Sequence, residues 1–83
     1  MHFDIYSSPG CSKCKLTANR LRAVEYHGEP VHTVNLIDVT VTPGAHEKAL
    51  ELSGGVKTLP IVQASNGEIW TEFRVDRLKH YGA

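Results

Sequence analysis

The chain has 83 residues, 41% of them hydrophobic, and its formal net charge at pH 7 is zero. A chain of this length forms a modest core, so we predict a single domain over residues 1–83. The balanced charge argues against a nucleic-acid-binding protein, which needs a basic face, and no apolar run approaches the roughly 20 residues of a membrane span. Because the first residues also lack the basic and apolar regions of a signal peptide, we expect a cytoplasmic protein without membrane association.

The hydrophobic pattern at the start of the chain predicts a strand, a helix and a second strand. The alternation from His2 to Tyr6 is typical of a strand with one buried face. From Ser12 to about Tyr26 the apolar residues recur at helical spacing, and Gly28 and Pro30 would end that helix. The β-branched segment 31–39 then predicts the second strand.

The next segment predicts a helix from Pro43 to Leu52. Thr42 is typical of an N-cap, and proline is favoured at the first helical position. Gly54-Gly55 is suited to end this helix. A strand, a helix, a strand and a second helix in this order indicate a βαβ unit with a right-handed crossover.

The last third of the sequence predicts a hairpin and a final helix. A short buried strand, 61–64, is followed by Asn66-Gly67, which favours a type I′ turn into an antiparallel strand, 68–71. The final helix is expected over 74–81, which completes the order β-α-β-α-β-β-α. The residues expected to face the core in the second strand and the final helix are Val34, Leu36, Val75 and Leu78.

Two cysteines lie three residues apart where the first strand gives way to the first helix, in the segment Pro9-Gly10-Cys11-Ser12-Lys13-Cys14. Cys11 is at or just before the first helical turn, where backbone N–H groups without intrahelical partners favour an anion such as a thiolate. Sites of this kind lower a cysteine pKa from about 8.5 to roughly 3.5–7.5. Cys14 is one turn further along, close enough to attack a mixed disulfide formed on Cys11. Since two thiols this close are a poor structural staple, we predict a catalytic dithiol that works by thiol–disulfide exchange.

The same cysteines also belong to a zinc-finger pattern. Cys11, Cys14, His27 and His32 follow C-x2-C-x12-H-x4-H, the ligand spacing of a zinc finger. In such a finger both histidines lie on one helix, whereas here a glycine and a proline separate them. We therefore predict no metal site of this kind, and a zinc or iron–sulfur site shared across a dimer stays open as an alternative.

Together with Leu59-Pro60 and the segment Trp70-Thr71-Glu72-Phe73-Arg74-Val75-Asp76, the cysteine motif makes the whole chain resemble the glutaredoxin-like redoxins, and the NrdH-type redoxins most of all. Trp70, Phe73, Arg74 and Asp76 match the family segment W-S-G-F-R-P-D, from which Thr71, Glu72 and Val75 depart. The resemblance implies an α/β thioredoxin-like (glutaredoxin) fold, a four-stranded mixed sheet flanked by helices. It also implies a cis peptide between Leu59 and Pro60 that faces the dithiol and leaves the Leu59 backbone free to pair with a substrate.

The resemblance further implies a small cytoplasmic electron donor, a monomer, with no cofactor beyond the Cys11–Cys14 disulfide. Members of the family are reduced by thioredoxin reductase and serve class Ib ribonucleotide reductase in deoxyribonucleotide synthesis. No charged residue directly precedes Cys11 and no Gly-Gly follows Trp70, so the carboxylates of glutathione lack obvious partners. A glutathione-dependent glutaredoxin, a general protein disulfide reductase and a binding module without turnover remain the alternatives. The residues expected to contact partners are Ser12, Lys13, Leu59, Pro60, Trp70, Phe73, Arg74 and Asp76.

Several of these residues have a second interpretation. Lys13 either lowers the Cys11 pKa by its charge or is an exposed cation at the helix start. Trp70 and Phe73 either belong to the core or shape the surface beside the dithiol, and we favour structural support with partial partner contact. Arg74 and Asp76 either join that surface or begin and cap the last helix.

Overall fold

The structure, a computed structural model, describes residues 1–83. Its elements in chain order are β1 (His2–Ser7), α1 (Ser12–Arg22), β2 (Glu25–Tyr26), β3 (Glu29–Pro30), β4 (Thr33–Asp38), α2 (Ala45–Leu52), β5 (Ile61–Ala64), β6 (Ile69–Thr71) and α3 (Val75–Lys79). The longest helix has 11 residues, and none of the three has the length and apolar character that crossing a membrane requires.

Four of the strands form one mixed sheet in the order β4-β1-β5-β6. β1 and β4 are parallel, and the other two pairs are antiparallel. These strands and the three helices follow one another in the predicted order β-α-β-α-β-β-α, so the α/β architecture is confirmed. The register brings Ser7, Asp38, Ile61 and Thr71 to the same end of the sheet. We call this the upper end, and the loop that leads to Cys11 leaves β1 there.

Two hydrophobic clusters lie on opposite faces of the sheet, because successive strand residues point to opposite sides. One cluster lies under α1 and α3, and the smaller one lies under α2. The members of the larger cluster are Phe3, Ile5, Ala18, Leu21, Val62, Ala64, Trp70 and Leu78. The members of the smaller cluster are Tyr6, Ala45, Ala49 and Ile61.

The first helix begins at Ser12, as predicted, but it ends at Arg22 and does not continue to Tyr26. The small antiparallel ladder of β2 and β3 takes the place of its predicted last turn. The Val24 carbonyl accepts a hydrogen bond from the Val31 N–H at 3.0 Å. This bond joins the two short strands and replaces the bond that a longer helix would make at Val24. His27 and Gly28 both have positive φ and turn the chain between the two strands.

The prediction that Thr42 and Pro43 open the second helix was wrong by two residues. The N-cap is Gly44, whose left-handed backbone (φ 76) separates Pro43 from the helix. The predicted end was right, since the Gly55 N–H donates to the Leu50 carbonyl at 2.7 Å and closes the last turn.

Asn66-Gly67 connects β5 to β6, as predicted, but the turn is not type I′. That turn needs two residues with positive φ, and here only Gly67 has one (φ 94). The Asn66 side-chain oxygen accepts the Glu68 N–H at 3.0 Å, while the Gly67 N–H donates to the Ala64 carbonyl. These bonds give a turn that ends in a left-handed glycine.

Two of the four predicted core residues are in place. Leu78 is fully buried, and Val34 is half-buried against the larger cluster. Leu36 and Val75 are each 37% exposed, so their prediction was wrong. Leu36 lies on β4, an edge strand of the sheet, and Val75 is the first residue of α3, a helix that spans 75–79 within the predicted 74–81.

Candidate dithiol site

Cys11 is the N-cap of α1, and Cys14 is the third residue of that helix. The two form a disulfide with their Cα atoms 5.3 Å apart. The Cys14 N–H also donates to Cys11 Sγ at 3.3 Å, so the sulfur occupies the position of an N-cap acceptor. No acidic residue lies in the first turn, and the unpaired N–H groups and the helix dipole there stabilise a negative charge on Cys11.

The two sulfurs differ in accessibility. Cys14, on the buried side of α1, is 1% exposed. Cys11 is only partly buried, and its neighbours Ser12 and Lys13 are exposed. A protein partner can therefore approach Cys11 but not Cys14. Lys13 makes no ion pair, which agrees with an exposed cation at the helix start.

Thr17, which the sequence analysis did not single out, fixes the first turn of α1 from below. Its side chain is fully buried and its hydroxyl donates to the Lys13 carbonyl at 2.8 Å. A threonine inside a helix commonly makes this bond to the residue four positions earlier. This preference was the sequence signal that could have identified Thr17.

The Leu59–Pro60 peptide is cis, as predicted. The pairing of Tyr6 with Ile61 places Pro60 next to Ser7, at the start of the loop that leads to Cys11. Pro60 is buried, and Leu59 is half-buried against the smaller cluster. The Leu59 backbone makes no hydrogen bond within the chain, so its N–H and carbonyl are free to pair with another strand.

Trp70 and Phe73 have mainly a structural role. Trp70 is 4% exposed and stacks on Tyr81, with ring centroids 5.9 Å apart. Phe73 is half-buried against the larger cluster, and the Arg20 guanidinium lies 5.8 Å from the centre of its ring. The core interpretation therefore describes Trp70, while Phe73 keeps a partly exposed edge.

Arg74 and Asp76 bind each other at the start of α3. Arg74 Nε donates to Asp76 Oδ1 at 3.1 Å, and a terminal nitrogen donates to Oδ2 at 2.8 Å. The hydrogen bonds to Arg74, and then its charge, lower the pKa of Asp76, while the same contacts raise the pKa of Arg74. Arg74 occupies the N-cap position, but its side chain makes no capping bond. Its contact with Asp76 instead stabilises the segment that enters the helix.

The four residues of the zinc-finger pattern do not come together. His32 is 7% exposed, and its Nε2 donates to the Tyr81 carbonyl at 2.8 Å. His27 lies in the turn between β2 and β3, with its ring against Tyr26. No three His, Cys, Asp or Glu side chains are placed to hold a metal ion.

Comparison with known proteins gives an informative similarity among the solved structures. No family model matches the chain, and no curated protein sequence matches it significantly. Among solved structures, NrdH-redoxin from Escherichia coli, a glutaredoxin-like protein with a thioredoxin-like activity profile, aligns with a TM-score of 0.71. The alignment has 27% sequence identity and covers 96% of this chain and 93% of that one. The similarity confirms the resemblance to the NrdH-type redoxins and the thioredoxin-like fold, and with the Cys11–Cys14 disulfide it supports a thiol–disulfide redox protein.

Proposed function

We propose that this chain is a small electron donor that reduces protein disulfides by exchange through Cys11 and Cys14. The observation that carries the proposal is the arrangement of the two sulfurs at the start of α1. Cys11 is the partly exposed N-cap, and Cys14 lies buried behind it. A reachable nucleophile with a shielded second thiol is what a two-step exchange requires.

In the first step the Cys11 thiolate attacks one sulfur of the target disulfide. A bond forms between Cys11 and that sulfur, the target's S–S bond breaks, and the other target sulfur leaves as a thiolate that takes a proton. In the second step Cys14, as the thiolate, attacks Cys11 Sγ, which restores the Cys11–Cys14 disulfide and releases the second target thiol. Two electrons pass from the protein to the target, and no cofactor beyond the disulfide takes part.

The surface beside Cys11 supports docking of an extended chain. The Leu59 backbone is free at the upper end of the sheet, next to the loop that carries Cys11. An apolar cavity of about 240 Å³ lies beside it, lined in part by Val39, Leu50 and Leu59. A partner strand can pair with Leu59 while one of its side chains enters the cavity.

For the physiological partners we propose thioredoxin reductase as the reductant and class Ib ribonucleotide reductase as the acceptor, with the protein acting as a cytoplasmic monomer. The support is the similarity to NrdH-redoxin, whose activity profile is thioredoxin-like. The loop before Cys11 also lacks a charged residue, and no Gly-Gly follows Trp70, which disfavours glutathione as the reductant.

The test is to reduce the purified, oxidised protein in two parallel assays and to follow NADPH consumption. One assay supplies thioredoxin reductase, and the other supplies glutathione with glutathione reductase. We expect rapid turnover in the first assay only, followed by electron delivery to ribonucleotide reductase. Turnover with glutathione alone would instead assign a glutaredoxin.

Single cysteine variants separate exchange from mere binding. Cys11→Ser should lose all turnover, because it removes the attacking sulfur. Cys14→Ser should accumulate a mixed disulfide between Cys11 and the target, visible by mass spectrometry, because nothing resolves it. A wild-type protein without turnover, whose Cys11→Ser variant binds the partner equally well, would favour the binding-module alternative.

A further inference from the structure

Glu72 has a backbone conformation that glutamate rarely adopts. Its φ is +69, in the left-handed region that favours glycine and that costs other residues steric strain. The conformation is held by a hydrogen bond of 2.8 Å from the Glu72 N–H to the Pro60 carbonyl. Any residue with a backbone N–H can make that bond, so the backbone gives no reason for a glutamate here.

The Glu72 side chain has no structural task that the contacts reveal. It is exposed, and its carboxylate makes neither a hydrogen bond nor an ion pair within the chain. The nearby Arg74 is already neutralised by its two-point contact with Asp76. Glu72, Arg74 and Asp76 therefore carry one net negative charge at the upper end of the sheet.

This charge lies one strand away from the free Leu59 backbone. The Glu72 N–H is bonded to Pro60, the residue directly after Leu59. Two exposed cations lie close to these residues in the sequence: Lys57, two residues before Leu59, and Lys13, between the two cysteines. A chain that pairs with Leu59 thus has the unpaired negative charge of Glu72 on its β6 side.

We propose that Glu72 is a specificity-determining residue: it favours targets that carry a basic side chain close to the reactive cysteine and disfavours acidic ones. The inference rests on the proposed function, since it concerns partners of the same dithiol. A negative charge at this position would also repel glutathione, an anionic thiol, in agreement with the reductant proposed above. Strain kept at the edge of a reactive site is commonly tied to function.

The test uses the reduced protein in single-turnover reactions with three short peptides. Each peptide has one cysteine, blocked as a mixed disulfide with 2-mercaptoethanol, and the residues that flank the cysteine are all Lys, all Glu or all Gln. The measured quantity is the ratio of second-order rate constants for the Lys and Glu peptides. In Glu72→Gln this ratio should fall by about two- to fivefold, the range expected for one exposed ion pair. High salt should lower the wild-type ratio in the same way.

Two further variants control the result. Glu72→Gly removes the charge and relieves the strain, so it should shift the ratio as far as Glu72→Gln does. Glu25→Gln makes the same chemical change on the exposed β2 strand, beyond the C-terminal end of α1, and should leave the ratio unchanged. An equal ratio in wild type and Glu72→Gln, or an equal shift in Glu25→Gln, would overturn the role of Glu72. A wild-type protein that reduces not even the Gln peptide would overturn the proposed function itself.

Discussion

On one face of the sheet eight buried side chains pack between the strands and two helices, whereas on the other face four pack between the strands and one short helix. The first face contains large rings in edge contact, with Phe3 lying 6.3 Å from Trp70 and 4.9 Å from Tyr81 between centroids. On the second face α2 meets the sheet through two alanines. Cavities of about 240 and 260 Å³ lie alongside that helix.

The difference indicates a division of labour between the two faces. The α1/α3 face buries Cys14 and Thr17 and so fixes the helix that carries the dithiol. The α2 face leaves apolar space beside Leu59, where a partner can bind. Stability should therefore depend mainly on the first face, and partner contact on the edge of the second.

The largest expected effect comes from the same truncation made on each face. Leu21→Ala removes a fully buried side chain from the α1/α3 face and should lower the free energy of unfolding by about 3 kcal/mol. Leu52→Ala removes a half-buried side chain that packs on the α2 cluster and should cost about 1 kcal/mol. Urea unfolding of the oxidised proteins measures both values.

Equal losses in the two variants would contradict the division of labour between the faces. The slope of the unfolding free energy against urea concentration must stay constant across the series, since a changed slope would signal an altered unfolded or native ensemble.

The same comparison explains which core residues were predictable from the sequence. Phe3 and Ile5 lie beneath helices and Leu78 packs against the same cluster from α3, so their apolar pattern and their burial agree. Leu36 has an equally apolar pattern, but it lies on an edge strand that no helix covers fully. Periodicity identifies the face on which a residue lies, and only the packing of elements decides whether that face is covered.

The start of α2 and the end of α1 were predicted wrongly because backbone conformation and long-range hydrogen bonds determine them. Gly44 adopts a left-handed conformation that begins α2 later than Thr42 and Pro43 predict. Glycine favours this conformation, but Thr42-Pro43 is the stronger start signal in the sequence. The β2–β3 ladder depends on the hydrogen bond from Val31 to Val24. Residues on both sides of a turn must meet before such a bond forms, so a pattern confined to one side does not reveal it.

The position of the dithiol was predictable, because Cys11 and Cys14 are only three residues apart in the sequence and the helix start follows from their neighbours. The cis Leu59–Pro60 peptide followed from the family resemblance alone. The left-handed Glu72 was not predicted, although the family segment has a glycine at this position, and a glycine is a signal for positive φ. Its conformation arises where β6 bonds to Pro60 across the sheet.

A smaller effect, of opposite sign, is expected where the two faces meet at the upper end. Glu72→Gly should raise the free energy of unfolding by about 0.5–1 kcal/mol, because relief of the left-handed strain exceeds the added entropy of the unfolded chain. Glu72→Gln, which keeps the strain, should leave stability unchanged. Thermal and urea unfolding check both variants, and a destabilised glycine variant would show that the Glu72 side chain supports the fold.

The smallest effect is a pH dependence that involves one tyrosine on each face. Burial raises the pKa of Tyr81 above 10.0, and its hydrogen bond to Glu68 adds to the shift. Burial also raises the pKa of Tyr6, with the charge of Asp4 adding to it. The folded state therefore holds both protons more tightly than the unfolded state. The resulting contribution to stability is complete below pH 10 and is lost as the pH rises through the folded-state pKa values.

Phenylalanine variants should separate the two tyrosines. Tyr81→Phe and Tyr6→Phe should each reduce the loss of stability as the pH rises above about 10, measured by urea unfolding of the oxidised protein. At neutral pH only Tyr81→Phe should lower stability, because the Tyr81 hydroxyl bonds to Glu68 and Asn66, whereas no hydrogen bond involves the Tyr6 hydroxyl. A Tyr6→Phe protein destabilised at neutral pH would mean that this hydroxyl stabilises the α2 face, and the contrast between the faces would then be smaller than the packing indicates.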